Sequence, residues 1–191
     1  MTVSRTKKGF TLVELLVVVS IIGLLSSVVI ATIQDARAKN DDTQRNAVAE
    51  EYQKALALYY SDYGSYPYPT TTDGNWYCLG DYADGFCGFM TSANPAGLIP
   101  VNSQVSTVLS PKYFSKLPST KPFAFDFLGD LETFEGPIYK CFNYSSITPP
   151  VCSEGLLQWM LNHSSSKCIQ GAQQTSWGGD PLGITCNLQL K

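Results

Sequence analysis

Charged side chains are scarce in this chain of 191 residues. Asp, Glu, Lys and Arg make up 15% of the sequence, well below the usual quarter, and only one histidine is present. The formal net charge of −3 argues against a general nucleic-acid binder, which would show a basic face. The hydrophobic fraction of 44% is ordinary, so intrinsic disorder does not explain the low charge. The position of the few charges is therefore the informative feature.

The charges fall into zones along the sequence. Residues 1–9 carry three basic side chains and no acid, and residues 10–33 carry one charge, Glu14. Residues 34–62 carry ten charges, four basic and six acidic, and the rest of the chain is sparsely charged. Such blocks suggest that each zone is adapted to a different surrounding.

The apolar zone, residues 10–33, is long enough to cross a membrane. At about 1.5 Å per residue a helix of this length spans roughly 36 Å, against a hydrocarbon core of about 30 Å. A cleaved secretory signal is the alternative, with Ala36-Arg37-Ala38 as the cleavage pattern, but its apolar core would be about 7–15 residues long. The preceding basic cluster should stay in the cytoplasm, which places the C-terminal part outside. This cluster consists of Arg5, Lys7 and Lys8.

The charged zone is predicted to continue the same helix. No Pro or Gly occurs between Leu24 and Tyr63, and Gly64 with the following prolines ends the helix. An apolar stripe in its second half predicts packing on a globular domain. The stripe contains Val48, Tyr52, Ala55 and Tyr59. Three acid-to-base pairs at i,i+4 support the helix, namely Asp35–Lys39, Asp41–Arg45 and Glu50–Lys54.

The remainder, residues 64–191, is rich in turns and short alternating runs. Residues 138–144 and 184–190 are predicted strands. Residues 157–161 fit a strand or a short helix, and residues 105–114 are expected to hold a helical turn. In residues 123–127 every second residue is a phenylalanine, an alternation typical of strands.

All six cysteines lie in this last zone, which favours disulfides on the exported side of a membrane anchor. A zinc site would lack a C-x₂-C pair and would have only His163 as an imidazole ligand, and a catalytic thiol would lack a nearby base. Fifteen pairings are open, and we favour sequential neighbours. These are Cys78–Cys87, Cys141–Cys152 and Cys168–Cys186.

Two groups of acidic residues are candidates for Ca²⁺. They are Asp81 with Asp84, and Asp126 with Asp130 and Glu132. No EF-hand spacing is present, so solvated loop carboxylates are the simpler interpretation and no cofactor is expected. The aromatic residues near the first cysteine pair indicate either an adhesive surface or the packing of a small loop. They are Trp76, Tyr77, Tyr82, Phe86 and Phe89.

A lone carboxylate marks the start of the apolar helix. Inserting a charged side chain such as Glu14 into the apolar core of a membrane costs roughly 2.5–3.5 kcal/mol on insertion scales, so its presence in this helix needs an explanation. One explanation is its depth in the membrane, because a side chain near the start of the helix can reach the lipid headgroups. The other requires cleavage after Gly9, which would give Phe10 a new α-amine that neutralises Glu14 in the same chain or in a neighbouring one.

The segment Gly9-Phe10-Thr11-Leu12-Val13-Glu14 resembles the prepilin processing site of type IV pilins and of type II secretion pseudopilins. The resemblance extends to Tyr66-Pro67 and covers about the first third of the chain. It implies that a membrane aspartyl prepilin peptidase cuts between Gly9 and Phe10 and that the new amine of Phe10 is methylated. It also implies that Glu14 attracts the amine of an adjacent subunit during assembly. Many relatives have a helix-kinking proline where this chain has Ala31, so we expect a straighter helix there.

Four parts follow from these observations: a leader (1–9) that is removed, a transmembrane or filament-core helix (10–33), its amphipathic continuation (34–63) and an exported globular domain (64–191). The predicted fold class is α+β, a long N-terminal helix packed on a small antiparallel sheet with disulfide-stapled loops.

The expected function is that of a structural, non-enzymatic subunit of a type IV pilus-like filament. The subunit would cross the inner membrane once and later join an extracellular filament. Its expected partners are other pilin subunits, prepilin peptidase, the pilus assembly machinery and the membrane, with no nucleic acid evident. The alternatives are a pseudopilin of type II secretion, or a membrane-anchored exported binding or adhesion module that does not polymerise.

Overall fold

The computed structural model describes residues 9–68, 76–82, 85–87, 99–127, 130–145, 150–176 and 183–191. The chain divides into two compact units, one ending at Arg37 and the other comprising Ala38–Lys191. The helices are α1 (Leu12–Tyr63) and α2 (Ser103–Leu109). The strands are β1 (Tyr77–Cys78), β2 (Phe123–Phe127), β3 (Asp130–Phe134), β4 (Ile138–Ser145), β5 (Val151–Leu161), β6 (Gln173–Ser176) and β7 (Ile184–Leu190).

Helix α1 runs through both the apolar and the charged zones, as the sequence predicts. It begins two residues after Phe10 and ends at Tyr63, where Gly64 adopts a φ of 70° and its N–H donates to the Tyr60 carbonyl at 2.7 Å. Glycine adopts this left-handed conformation without steric cost, which is why it commonly follows the end of a helix. Within the described residues, α1 includes a window with a mean hydropathy of 2.7, apolar and long enough to cross a membrane.

Five strands form one antiparallel sheet in the order β1-β4-β5-β7-β6, and β2 and β3 form a separate hairpin. The predicted strands at residues 138–144 and 184–190 are confirmed as β4 and β7, and residues 123–127 are β2. The ambiguous residues 157–161 form the second half of β5. The predicted helical turn corresponds to α2, which starts two residues earlier and is shorter.

The amphipathic half of α1 packs on this sheet. Tyr52 and Leu56 are fully buried in one apolar cluster with Leu157, Trp159 and Leu161 of β5. Side chains of β7 complete the cluster because β5 and β7 pair in register. The α+β prediction is therefore confirmed.

Three disulfides join the sequential pairs favoured by the sequence. They are Cys78–Cys87, Cys141–Cys152 and Cys168–Cys186. All six cysteines are thereby used, and a disulfide sulfur supplies no thiolate for a metal or for nucleophilic attack. The first pair lies in a second apolar cluster, formed with Tyr82, Phe134 and Met160.

Candidate functional site

The Gly9–Phe10 peptide lies just before the first turn of α1, outside regular structure. Phe10 is 79% exposed, and a Cβ added at Gly9 would meet no atom within 4 Å. The fold of the described residues therefore does not itself require glycine at this position. The peptide is open to an approaching protein.

Glu14 forms a capping box with Thr11. The Thr11 N–H and hydroxyl donate to Glu14 Oε2 at 2.9 and 2.7 Å, and the Glu14 N–H donates to Thr11 Oγ1 at 3.3 Å. Such a box satisfies N–H groups that the first turn of a helix leaves unpaired. Sequence reasoning missed this local role of Glu14, although the Thr-x-x-Glu spacing was a usable signal.

The apolar half of α1 presents large exposed side chains on every side. Leu12, Ile22 and Ile33, at its start, middle and end, are 80%, 56% and 44% exposed. Its hydroxyl groups are satisfied within the helix, donating to backbone oxygens of the preceding turn at 2.7–2.9 Å. These hydroxyls belong to Ser20, Ser26, Ser27 and Thr32. Such a surface suits lipid or a dry protein interface, because no hydroxyl among these four depends on water.

The charged part of α1 bears a buried anchor at Asp42. Its carboxylate accepts hydrogen bonds from Arg45 Nη1 (2.7 Å), the Asn162 and His163 N–H groups (2.8 Å each) and the Ser166 hydroxyl (2.6 Å). Asp42 is 1% exposed and Arg45 is 4% exposed. We call this group of five residues the Asp42 clasp. It joins α1 to the turn that follows β5.

Contacts around the clasp extend this attachment. Arg45 Nη2 donates to the Lys121 carbonyl at 3.3 Å. One turn further along α1, Asn46 accepts from Trp159 Nε1 and donates to the Lys167 carbonyl, both at 2.8 Å. The amide of Asn46 therefore bridges α1 to β5 and to the segment before Cys168.

The predicted pairing of Asp41 with Arg45 is wrong. Arg45 turns inward to Asp42 at i−3, whereas Asp41 lies 3.7 Å from Lys121 Nζ. The burial of Asp42 against the turn after β5 decides the choice, because a buried carboxylate needs a charged partner more than an exposed one does.

A second polar cluster fixes the end of α1. Asp62 Oδ2 accepts from Lys112 Nζ at 2.8 Å and from the Tyr113 hydroxyl at 2.6 Å, and Lys112 Nζ lies 4.7 Å from the centroid of the Tyr63 ring. The hydrogen bonds from Lys112 and Tyr113 lower the pKa of Asp62, and the bond to Asp62 raises the pKa of Lys112. The carboxylate therefore holds the segment after α2 against the last turn of α1.

Comparison with known proteins finds matches to part of this chain. The family described as "Prokaryotic N-terminal methylation motif" matches residues 4–30. The type IV major pilin protein PilE1 of Neisseria gonorrhoeae is 35% identical over 68 residues, 36% of this chain and 41% of that protein. Over about a third of its length the chain is therefore similar to a type IV major pilin, and residues 4–30 match the N-terminal methylation motif.

Two further relatives match about a third of the chain. The type IV wide pilus major component PilA4 of Thermus thermophilus is 40% identical over 62 residues, and the fimbrial protein EcpC of Eikenella corrodens is 36% identical over 63. These alignments cover 32–33% of this chain and 47% and 41% of the two relatives. The chain thus spans less than half the length of these curated relatives. No solved structure matches it significantly.

The calcium candidates gain no support from the part of the chain that the structure describes. No group of three or more His, Cys, Asp or Glu side chains there is arranged to hold a metal ion. Asp81 is exposed, and Asp84 lies outside the described residues. The backbones of Asp126, Asp130 and Glu132 belong to β2 and β3, and their side chains are not described.

The aromatic residues near the first disulfide mainly pack the loop. Tyr77 and Tyr82 are buried, and Trp76 is half-buried with Lys140 Nζ 4.8 Å from its ring centroid. Phe86 is 37% exposed, and Phe89 lies outside the described residues. These positions favour packing over an adhesive surface.

Proposed function

We propose that this protein is a structural subunit of a type IV pilus-like filament that polymerises through α1. The observation that carries the proposal is an exposed apolar helix that begins with a capped glutamate directly after an accessible Gly9–Phe10 peptide. A helix with this surface is stable only when lipid or other apolar helices cover it. The relatives named as major pilin components favour a pilus over a secretion pseudopilus.

In this proposal a prepilin peptidase removes residues 1–9 and leaves an amine on Phe10, which is then methylated. Cleavage removes three basic groups and leaves 10 basic against 16 acidic side chains, a formal charge of −6 before the termini. Before assembly the subunit is anchored in the inner membrane with its C-terminal domain outside, and the assembly machinery then moves it into the filament. The protein's own work is assembly, not catalysis.

The capping box constrains how Glu14 meets a neighbouring amine. Both Thr11 donors use Oε2, and Oε1 receives none of the hydrogen bonds among the described residues. Oε1 is therefore the atom that accepts the Phe10 amine of an adjacent subunit. Inside a dry filament core the lower effective dielectric strengthens this pairing compared with water.

Replacing Glu14 by Gln tests whether assembly needs the negative charge, and it keeps the helix cap with Thr11. Glutamine also serves in capping boxes, so Glu14→Gln should start the helix normally and insert in the membrane. Each subunit loses a charge-assisted bond of about 1.5–3 kcal/mol, so the yield of sheared filaments should fall strongly. Thr11→Val is the matched control, because it weakens the cap, keeps the carboxylate and should assemble better than Glu14→Gln.

Intact mass of the purified mature protein tests processing separately. An N-terminus at Phe10, methylated or not, supports the proposal. An uncleaved N-terminus in a host with a working prepilin peptidase would count against it and favour a non-polymerising anchored module. Normal filaments from Glu14→Gln would contradict the proposed pairing of Glu14 with the Phe10 amine.

A further inference from the structure

The sheet of the unit Ala38–Lys191 has an inner face, which packs on α1, and an outer face. Tyr139 and Cys141 of β4 lie in the apolar cluster that contains Tyr52 of α1, so both point to the inner face. Side chains alternate between the two faces along a strand, so Lys140 points to the outer face. Lys140 therefore lies on the side of the unit opposite α1.

Two aromatic rings flank the Lys140 ammonium on the outer face. Its Nζ lies 4.8 Å from the centroid of the Trp76 ring and 5.8 Å from that of the Phe142 ring. Trp76 packs against the second apolar cluster, whereas Phe142 is 60% exposed. Aromatic rings at such distances attract a cation and restrict its motion. Trp76, Lys140 and Phe142 therefore form one surface, which we call the Lys140 patch.

No carboxylate in the part of the chain that the structure describes forms a salt bridge with Lys140. Glu154 lies on the same face of the sheet, but its carboxylate accepts a hydrogen bond from Gln189 Nε2 at 2.9 Å. A cation beside an exposed aromatic ring suits a partner that offers both a carboxylate and an apolar side chain. The Lys140 patch therefore has the chemistry of one half of an interface.

The outward side of α1 offers the complementary half. Glu51 is exposed, next to the buried Tyr52, and no described residue forms a salt bridge with it. Leu58 lies seven residues, about two turns, further along the same side and is 56% exposed. The adjacent Glu50 lies 3.9 Å from Lys54, so the charge that remains on this side is negative. We call Glu51 and Leu58 the Glu51 patch.

We propose that the Lys140 patch of one subunit binds the Glu51 patch of the next subunit in the filament. The inference rests on the proposed function, which brings copies of this chain together. Within one subunit the sheet and α1 lie between the two patches, so they face opposite directions. A contact between different patches can repeat along a filament, whereas one patch that meets its own copy gives a closed dimer. The placement of the patches therefore suits a filament.

The proposed contact also offsets repulsion between subunits. After removal of residues 1–9 the chain has 10 basic and 16 acidic side chains, so copies of it repel one another at long range. The exposed side chains of Phe142 and Leu58 would exclude water around the Lys140–Glu51 pair, which strengthens its attraction. Because the aromatic rings already restrict Lys140, less side-chain entropy is lost when the contact forms.

Exchange of the two charges tests the contact in the full chain, in a host that assembles the filament. Lys140→Glu and Glu51→Lys each bring like charges together, so each should lower the yield of sheared filaments about tenfold. The double variant restores an opposite pair and should recover most of the wild-type yield. Lys116→Glu is the matched control, because it makes the same change at an exposed lysine outside both patches, and it should assemble normally.

A fold control and a cross-link separate this contact from a general defect. Neither Lys140 nor Glu51 is buried, so the single variants should unfold in detergent at nearly the wild-type Tm. In wild-type filaments a carbodiimide should join Lys140 Nζ to the Glu51 carboxylate as an amide, with loss of water. Since the sheet and α1 separate the two groups within one chain, the cross-linked peptide reports contact between subunits.

Three outcomes would overturn the inference while the assembly proposal stands. Lys140→Glu assembles normally, which would leave the outer face free for some other partner; or the double variant is as impaired as the single variants; or wild-type filaments give no Lys140–Glu51 cross-link. A wild type that forms no filaments would instead refute the assembly proposal, and this inference with it.

Discussion

The Asp42 clasp predicts that one carboxylate on α1 carries a large share of the stability of the unit Ala38–Lys191. Asp42→Asn removes the charge and keeps the size of the side chain. Arg45, 4% exposed, then lacks the carboxylate that it contacts at 2.7 Å. One of the two oxygens that accept from Asn162, His163 and Ser166 also becomes an amide NH₂, which cannot accept.

The expected loss of unfolding free energy follows from the burial of Asp42 and Arg45. Breaking a buried ion pair by removing one partner costs about 3–5 kcal/mol, because the remaining charge is left desolvated. We expect about 3 kcal/mol for Asp42→Asn, which keeps one acceptor, and about 4–5 kcal/mol for Asp42→Ala. For a domain of this size, 3 kcal/mol corresponds to roughly 6–12 °C in Tm.

Thermal and denaturant unfolding of the full chain in detergent would measure this loss. Trp159 reports on the region, because its indole N–H donates to Asn46, one turn of α1 beyond Asp42. Asp41→Asn is the matched control: it makes the same chemical change one residue away, in a partly exposed pair whose Asp41 carboxylate lies 3.7 Å from Lys121 Nζ. Such pairs contribute about 0–1 kcal/mol, so the control should unfold nearly as the wild type does.

Equal stabilities of the Asp42→Asn and Asp41→Asn variants would refute this reasoning. A double-mutant cycle with Arg45→Met sharpens the test. If the two buried charges depend on each other, the combined Asp42→Ala and Arg45→Met variant should be more stable than the sum of the single losses predicts. Additive losses would mean that the ion pair is not the source of the stability.

The other predictions concern pH and backbone conformation. Since the pKa of Asp62 is lowered by its partners, its contribution to stability should be complete above about pH 4 and lost as pH falls below that; Asp62→Asn should abolish this acid dependence of unfolding. Burial raises the pKa of Tyr139, so its contribution to stability should hold below about pH 10 and be lost as pH rises further. An ultraviolet titration should show late tyrosine ionisation, and Tyr139→Phe should reduce its amplitude by one tyrosine, because burial also raises the pKa values of Tyr52 and Tyr82. Gly136→Ala should cost more stability than Gly64→Ala in denaturant melts. Both glycines have positive φ, but only at Gly136 would the new Cβ collide with Tyr82, and equal costs would contradict this account.

Local patterns were sufficient for the features that depend on neighbours in sequence. The length of α1 followed from the absence of Pro throughout it and of Gly after Leu24, and its end followed from Gly64, because both residues act on the backbone within one turn. The alternation in β4 and β7 was equally local. Strands β1, β3 and β6 were missed. β1 and β6 are short, at two and four residues, which leaves little alternation to detect. β1 also takes its pairing from β4, a partner that only the folded chain brings alongside, whereas β3 and β6 pair with strands next to them in sequence.

The sequence by itself determined that this protein has an apolar helix with one acid near its start, preceded by a basic cluster and Gly9 and followed by a segment that holds all six cysteines. Only the tertiary structure decided that Asp42, and not Asp41, binds Arg45, and that the Trp76 ring lies beside Lys140. The reason is separation along the chain. Helix periodicity relates residues three or four apart, whereas the other donors to Asp42 (Asn162, His163 and Ser166) lie 120 residues or more away and reach it only because β5 places them there.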